Sequence, residues 1–305
     1  MSRTVAAIDC GTNSIRLLVL RSHSADVEEL AREVRLARLG QGVDATGEFH
    51  PDALQRAFVI FDEFAAIIEA LGGAEVRVVA TSAARDVSNR GVFEEGVRAR
   101  LGVTPDIIDG AEEARLSSKG VLSGVHAPAP TLVLDIGGGS TELVVIDADA
   151  RIRHAISMNI GAVRVRERCL PSDPPTPAQV AEARELVRRE LDASGVRFDE
   201  LASAVGVAGT VTSVAARTLA LVQYEREAVH ETLLARADIV EATEHWLATS
   251  SEEIAHEPCM HPLRAQVIGA GSIILDELSA RIPGGAVLVS ETDILDGIAL
   301  EMLDG

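Results

Sequence analysis

The stretch that most constrains this chain is Thr131 to Ile146, TLVLDIGGGSTELVVI. It opens with branched apolar residues, Leu132-Val133-Leu134, of the kind a fully buried strand requires. Asp135 stands at the mouth of that strand, and Gly137, Gly138 and Gly139 follow with Ser140 and Thr141. A second apolar run, Leu143 to Ile146, completes a strand-turn-strand hairpin. Three successive glycines forgo side-chain packing and lose backbone entropy, so they need a reason. Without Cβ atoms, consecutive backbone N–H groups can close around phosphate oxygens. Asp135 and Glu142 flank that cradle, and carboxylates beside a phosphate make sense chiefly with a divalent cation between. A tight turn serving only the hairpin is the plainer alternative. A turn, however, needs one or two glycines and seldom frames them with two acids.

The N-terminus repeats the plan. Val5 to Ile8 is apolar, Asp9 ends the run, Gly11-Thr12-Asn13-Ser14 form a polar turn, and Ile15 to Leu20 resumes a strand containing Arg16. Two strand-Asp-Gly-hydroxyl hairpins in one chain suggest a duplicated domain with a ligand clasped between the copies. DCGTNSIRLLV and DIGGGSTELVV resemble the two phosphate loops of the actin, heat-shock chaperone and sugar-kinase superfamily. Asn-Ser-x-Arg-Leu and Gly-Gly-Gly-Ser-Thr-Glu-Leu are similar to one branch of it, the exopolyphosphatase / guanosine pentaphosphate phosphohydrolase (Ppx/GppA) family. The fold that resemblance implies is α/β, with two ribonuclease H-like domains and an interdomain cleft.

Composition bounds the rest. The 305 residues suit two domains of ordinary size, and 47% hydrophobic content can fill their cores. Cys10, Cys169 and Cys259 are widely spaced and include no Cys-x-x-Cys, which predicts reduced thiols in a cytoplasmic protein. No apolar stretch reaches membrane-spanning length. A net charge of −19 argues against nucleic-acid binding through a basic face. It also means that a polyanionic substrate needs local positive charge and divalent cations. The eight histidines form no His-x-x-x-His pair, so a histidine metal site is not expected.

Strands alternating with helices predict the α/β class. Pro51 to Leu71 reads as a helix, since Leu54, Phe58, Phe61, Phe64, Ile68 and Leu71 recur at three- and four-residue steps. That stripe is core rather than a ligand box. Val76 to Ala80 is a buried strand, Asn89 to Leu101 and Ala111 to Leu122 are helices, and Asp106 to Asp109 is a short strand. Ser123 to Pro130, polar and broken by proline, marks the junction: residues 1–127 form the first domain and 128–290 the second. Thr176 and Pro177 start a helix that runs to Gly195. Ala204 to Val207 is a strand, Ile239 to Ala248 and Ala265 to Leu278 are helices, and Val287 to Val289 is a strand. The last helix, within 291–305, is expected to pack back on the first domain.

Further stretches extend the resemblance over nearly the whole chain. Thr81-Ser82-Ala83-Ala84-Arg85-Asp86 with Asn89 is similar to the family's Thr-Ser-Ala-x-Arg-Asp-Ala-x-Asn, with Val87 in place of Ala. An arginine on a strand-end turn can reach a ligand, or it can simply pair with Asp86 at the surface. Gly110-Ala111-Glu112-Glu113-Ala114-Arg115-Leu116 looks like Gly-x-Glu-Glu-Ala-Arg-Leu. One carboxylate near the terminal phosphorus can orient a water and take its proton, which is worth ~10²–10⁴-fold in rate. Adjacent acids lie about 100° apart around a helix, so only one can face a ligand. By resemblance that one is Glu113, with Glu112 a first-turn acid favoured by the helix dipole. Val205 to Thr212, VGVAGTVT, resembles the superfamily's third loop, and a Gly209-Thr210 turn before a helix offers anion-binding amides. Ser157 with Gly161, Val163 and Arg164 resembles Ser-x-x-x-Gly-x-Val-Arg, with Ala162 where a Cys is common. His261-Pro262-Leu263-Arg264-Ala265 also fits, but Gln266 stands where the family tends to have Asp.

The resemblance thus implies an exopolyphosphatase acting on the end of inorganic polyphosphate. Glu113 is the expected base, and Asp9, Asp135 and Glu142 the expected ligands of Mg2+ or another divalent cation. Gly11, Thr12, Asn13, Ser14, Arg85, Gly137, Gly138, Gly139, Ser140, Gly209 and Thr210 are the expected phosphate-binding residues. Longer family members continue into extra C-terminal domains that lengthen the polyphosphate track, so a preference for short chains is expected. Hydrolysis of guanosine pentaphosphate by the same site is the nearest alternative. A non-catalytic polyphosphate- or nucleotide-binding protein and a small-molecule kinase are the others. No membrane or nucleic-acid partner is expected, and the resemblance implies a homodimer.

Overall fold

The computed structural model describes residues 2–23, 26–85 and 87–304, which divide into two compact units, 1–123 with 293–305 and 124–292. The first unit begins with β1 (Arg3–Cys10), β2 (Ser14–His23) and β3 (Asp26–Leu36) in an antiparallel meander. The short α1 (Val43–Thr46) and the long α2 (Pro51–Ala70) lead into β4 (Glu75–Ala80), which pairs parallel with β1. Then come α3 (Ser82–Arg85), α4 (Arg90–Leu101), β5 (Asp106–Ile107) and α5 (Gly110–Gly124). The sheet order is β3-β2-β1-β4-β5.

In β1, period-two alternation sends successive side chains to opposite faces. Ala6, Ile8 and Cys10 pack with Phe61 and Phe64 of α2, so the expected phenylalanine stripe is core. Val5 and Ala7 face the other way, against Leu116 of α5 and Ile294, Leu295 and Ile298 of the C-terminal helix (Ile294–Asp304).

The second unit repeats this order. It contains β6 (Thr131–Ile136), β7 (Thr141–Ile146), β8 (Ile152–Met158), α6 (Ala162–Cys169), α7 (Pro177–Ala193), β9 (Ser203–Val207) and α8 (Ala208–Thr218). Two further strands, β10 (Leu233–Leu234) and β11 (Val287–Val289), complete a sheet ordered β10-β11-β9-β6-β7-β8. The antiparallel β6-β7-β8 meander and the parallel β6-β9 pair match the β1-β2-β3 meander and the β1-β4 pair. Leu132, Leu134 and Ile136 enter the core beneath, leaving Val133 and Asp135 on the opposite face. Thr176 caps α7 in a reciprocal bond with Gln179, as its Thr-Pro start predicts. All three cysteines are free thiols, and no described helix is long and apolar enough to cross a membrane.

Candidate active site

Continuing the Val5–Ala7 row on β1 by one step places Asp9 on the face covered by the C-terminal helix. Asp9 lies within the strand, not at its end, and its register partner on β2 is Arg16. The Arg16 guanidinium donates from Nε and Nη2 to Asp9 Oδ2, at 3.0 and 2.6 Å. Asp9 is 3% exposed, and its Oδ1 is buried with no hydrogen-bond partner among the described residues. Burial pushes this carboxyl above its ordinary value, Arg16 pulls against that shift, and the nearby Asp293 adds to it.

The same register in the second unit sets Asp135 opposite Glu142. Glu142 therefore occupies the place that Arg16 holds in the first hairpin. Both carboxylates are buried, and Ser157 Oγ donates to Glu142 Oε1 at 2.6 Å. Directly opposed residues of neighbouring strands share a face. Two carboxylates so placed together attract a cation. The orphaned Asp9 Oδ1 and the Asp135–Glu142 pair are hard oxygen donors that fit Mg2+. Among the described residues, no three His, Cys, Asp or Glu side chains already form a metal-holding group.

Between the paired strands the two loops close alike. Gly11 N–H donates to Ser14 O at 2.9 Å, and Gly137 N–H to Ser140 O at 3.0 Å. Their carbonyls are used by the segment that follows the third strand. Thr12 O accepts from Gly40, and Asn13 O from Ala37 and Arg38; Gly137 O accepts from Ala162, and Gly138 O from Val163 and Arg164. The amides of Thr12, Asn13, Gly138 and Gly139 have no protein acceptor among the described residues, which is the arrangement an anion cradle requires. Thr12 is fixed by a 2.9 Å hydroxyl contact with Ser82, and Asn13 Oδ1 is buried without a partner among the described residues.

The first turn of α5 divides the two adjacent acids. Glu112 turns outward to Arg115, whose guanidinium holds its carboxyl below the ordinary value. Glu113 turns inward, is 7% exposed, and accepts from Arg85 Nη1 at 2.8 Å. The same Arg85 nitrogen also donates to Ile108 O at 3.0 Å. A guanidinium carries five N–H donors, so this grip leaves Arg85 able to contact phosphate as well. Asp86 lies outside the described residues.

Gly209 and Thr210 form the first turn of α8 itself, where a turn preceding the helix was expected. The break comes one residue earlier, at Ala208, whose φ of 66° is unusual for a residue with a side chain. Thr210 is buried, and Gly271 crosses it so closely that a Cβ there would lie 2.4 Å from Oγ1. Sequence reasoning gave Arg16 no role. The signal was present, because Arg16 follows Asp9 at the same spacing at which Glu142 follows Asp135. Asp293, which also accepts from Arg16, had no comparable signal.

Two successive ribonuclease H-like sheets, each carrying the same acid-bearing hairpin, define a two-domain protein of the actin-like class. The Ppx/GppA phosphatase family model matches residues 18–305. Exopolyphosphatase 2 of Mycobacterium tuberculosis is 41% identical to the chain over 98% of each. Among solved structures, an exopolyphosphatase-like protein aligns with a TM-score of 0.94 at 39% identity, covering 99% of this chain and 98% of that one. The Aquifex aeolicus Ppx/GppA family member aligns at 0.82 with 27% identity, over 100% and 99%. The chain belongs to the Ppx/GppA phosphatase family.

Proposed function

We propose that this chain is an exopolyphosphatase, releasing orthophosphate from the end of inorganic polyphosphate. The observation that carries the reading is Glu113, a buried carboxylate held by Arg85 in the first turn of a helix. The 41% identity to a named exopolyphosphatase over nearly the whole of both chains supports it.

In this mechanism the open amides of Thr12 and Asn13 and of Gly138 and Gly139 hold non-bridging phosphate oxygens, in loops that Gly11 with Ser14 and Gly137 with Ser140 close, helped by Gly209, Thr210 and Arg85. The Glu113 carboxylate, oriented by Arg85, is assigned to the attacking water. Water oxygen bonds to the terminal phosphorus, its proton passes to Glu113, and the bond from that phosphorus to the bridging oxygen breaks. The products are orthophosphate and a chain one unit shorter. Asp9, Asp135 and Glu142 would hold Mg2+, which when bound neutralises charge building on the phosphoryl oxygens. Positioning and charge neutralisation are most of what phosphoryl transfer asks of a protein.

Guanosine pentaphosphate presents the same terminal phosphoanhydride and is the alternative substrate. We propose polyphosphate as the principal one, acted on by a cytoplasmic homodimer. The test is phosphate release from each substrate, with and without Mg2+. Glu113→Gln should bind polyphosphate while turnover falls at least ~100-fold, within the range for loss of a general base. Near-wild-type turnover in that variant would remove Glu113 from this role.

A further inference from the structure

We propose that Asp293 is a positioning residue for Asp9, acting through Arg16, so that the start of the C-terminal helix sets the geometry of the first hairpin's acid. The inference rests on Asp9 serving the site as described above. Arg16 is the middle member: two of its nitrogens hold Asp9 Oδ2, and its third, Nη1, donates to Asp293 Oδ2. With Oδ2 taken twice, the only acceptor left to Asp9 is the buried Oδ1. An arginine held by one carboxylate could swing about it. Bracketed between two, its planar fork is fixed, and so is the carboxylate it grips.

Asp293 is itself anchored on every side. Its Oδ1 accepts from Leu295 N at 2.9 Å, and its own amide donates to Asp296 Oδ2 at 2.9 Å. Asp296 in turn is gripped by Arg32 of β3. Below it, α5 and the C-terminal helix cross with their backbones in contact. A Cβ on Gly120 would lie 1.7 Å from Asp293 O, and one on Gly297 would lie 1.9 Å from Leu116 O. Gly120 stands two turns along α5 from Glu113. The glycine crossing therefore refers Asp9 and Glu113, carboxylates from distant parts of the sequence, to one rigid frame. A salt bridge serving stability alone would not need to leave a buried oxygen of Asp9 unpaired.

The experiment uses the full chain and reads Mn2+ affinity by electron paramagnetic resonance titration, alongside kcat, KM and thermal midpoint. Asp293→Asn keeps the volume and the helix cap but turns a donor toward Arg16. It should weaken Mn2+ binding by about 10–100-fold and lower kcat to a similar degree, as loss of a supporting partner does. KM for polyphosphate should stay within about threefold. Arg16→Lys, whose single ammonium cannot bridge both acids, should do the same and serves if Asp293→Asn fails to fold. Asp304→Asn, farther along the same helix and paired with Lys119, should change neither. Wild-type Mn2+ affinity in both folded variants overturns the proposal, as does a loss that only tracks the folded fraction. Wild-type protein that takes up no Mn2+ overturns it too. Absence of phosphate release by the wild type would instead overturn the hydrolase reading, and the ratio of Mn2+ affinities would still decide the role of Asp293.

Discussion

At the scale of single residues, side chains fixed by local geometry were legible and those fixed by distant partners were not. Helix geometry lets only one of Glu112 and Glu113 face inward, resemblance assigns that place to Glu113, and the structure turns Glu112 outward and Glu113 in. No local pattern announces that Glu277 is buried against Arg184 and Arg188 of α7, which donate to it at 2.7 to 2.9 Å. Burial pushes the Glu277 carboxyl up, but the two arginines overcome that and hold it below its ordinary value of 4.5. A folded-state value below the unfolded one means that this ionised carboxylate stabilises the fold above about pH 4.5, and the contribution is lost as pH falls through the folded value. Glu277→Gln should therefore lower the unfolding free energy by about 1–3 kcal/mol at pH 7, the range for removing a charged hydrogen-bond partner. The gap from wild type should narrow in acid. Urea denaturation at pH 7 and pH 4 measures both, and a gap that widens in acid would contradict the assignment.

At the scale of elements, the hairpins were legible because buried strands and glycine turns leave strong marks, whereas the entry to α6 was not. Gly161 came into the reading only through resemblance, and its spacing carries no helix signal. Its backbone is extended, with φ at −145°, so the need for glycine is steric and not conformational. A Cβ at this position would lie 2.5 Å from the backbone carbon and oxygen of Gly138. Those atoms belong to the loop whose carbonyls receive the first amides of α6, so neither side can yield without breaking that contact. Gly161→Ala should cost about 1–3 kcal/mol, as overpacking does. Because the displaced atoms are those of the second phosphate loop, it should also lower kcat/KM on polyphosphate more than tenfold. Steady-state kinetics alongside thermal unfolding separate the two effects; a variant with lost stability but intact kcat/KM would show that the loop tolerates the shift. The two-residue strand β10 is too short to leave any periodic trace, and it too was invisible beforehand.

At the scale of the molecule, duplication was the most legible property, since two hairpins with matching acids predict two sheets of matching order. What the pattern could not carry is how completely the first unit depends on the far end of the chain. Hydrophobic spacing predicts the last helix, but not the bond between Asp293 and Arg16, 277 positions apart. Ile294, Leu295, Ile298 and Met302 are each at most 7% exposed, and they pack on Val5, Ala7, Leu18, Leu20, Val79 and Leu116. Four large apolar side chains contribute about 1.5–3 kcal/mol each, so roughly 6–12 kcal/mol of burial rests on this helix. That is comparable to the entire stability of a typical domain, about 5–15 kcal/mol. A chain ending at Thr292 should therefore lose the cooperative folding of the first unit. The core beneath β6, β7 and β9 draws on none of these residues and should survive. Calorimetry should show an unfolding enthalpy reduced to that of the second unit alone, and amide exchange should remain slow in Leu132 to Leu134 while becoming fast in Val5 to Ile8. Slow exchange at Val5 to Ile8 in the shortened chain would mean that the first sheet stands without its final helix, and the dependence argued from burial would be wrong.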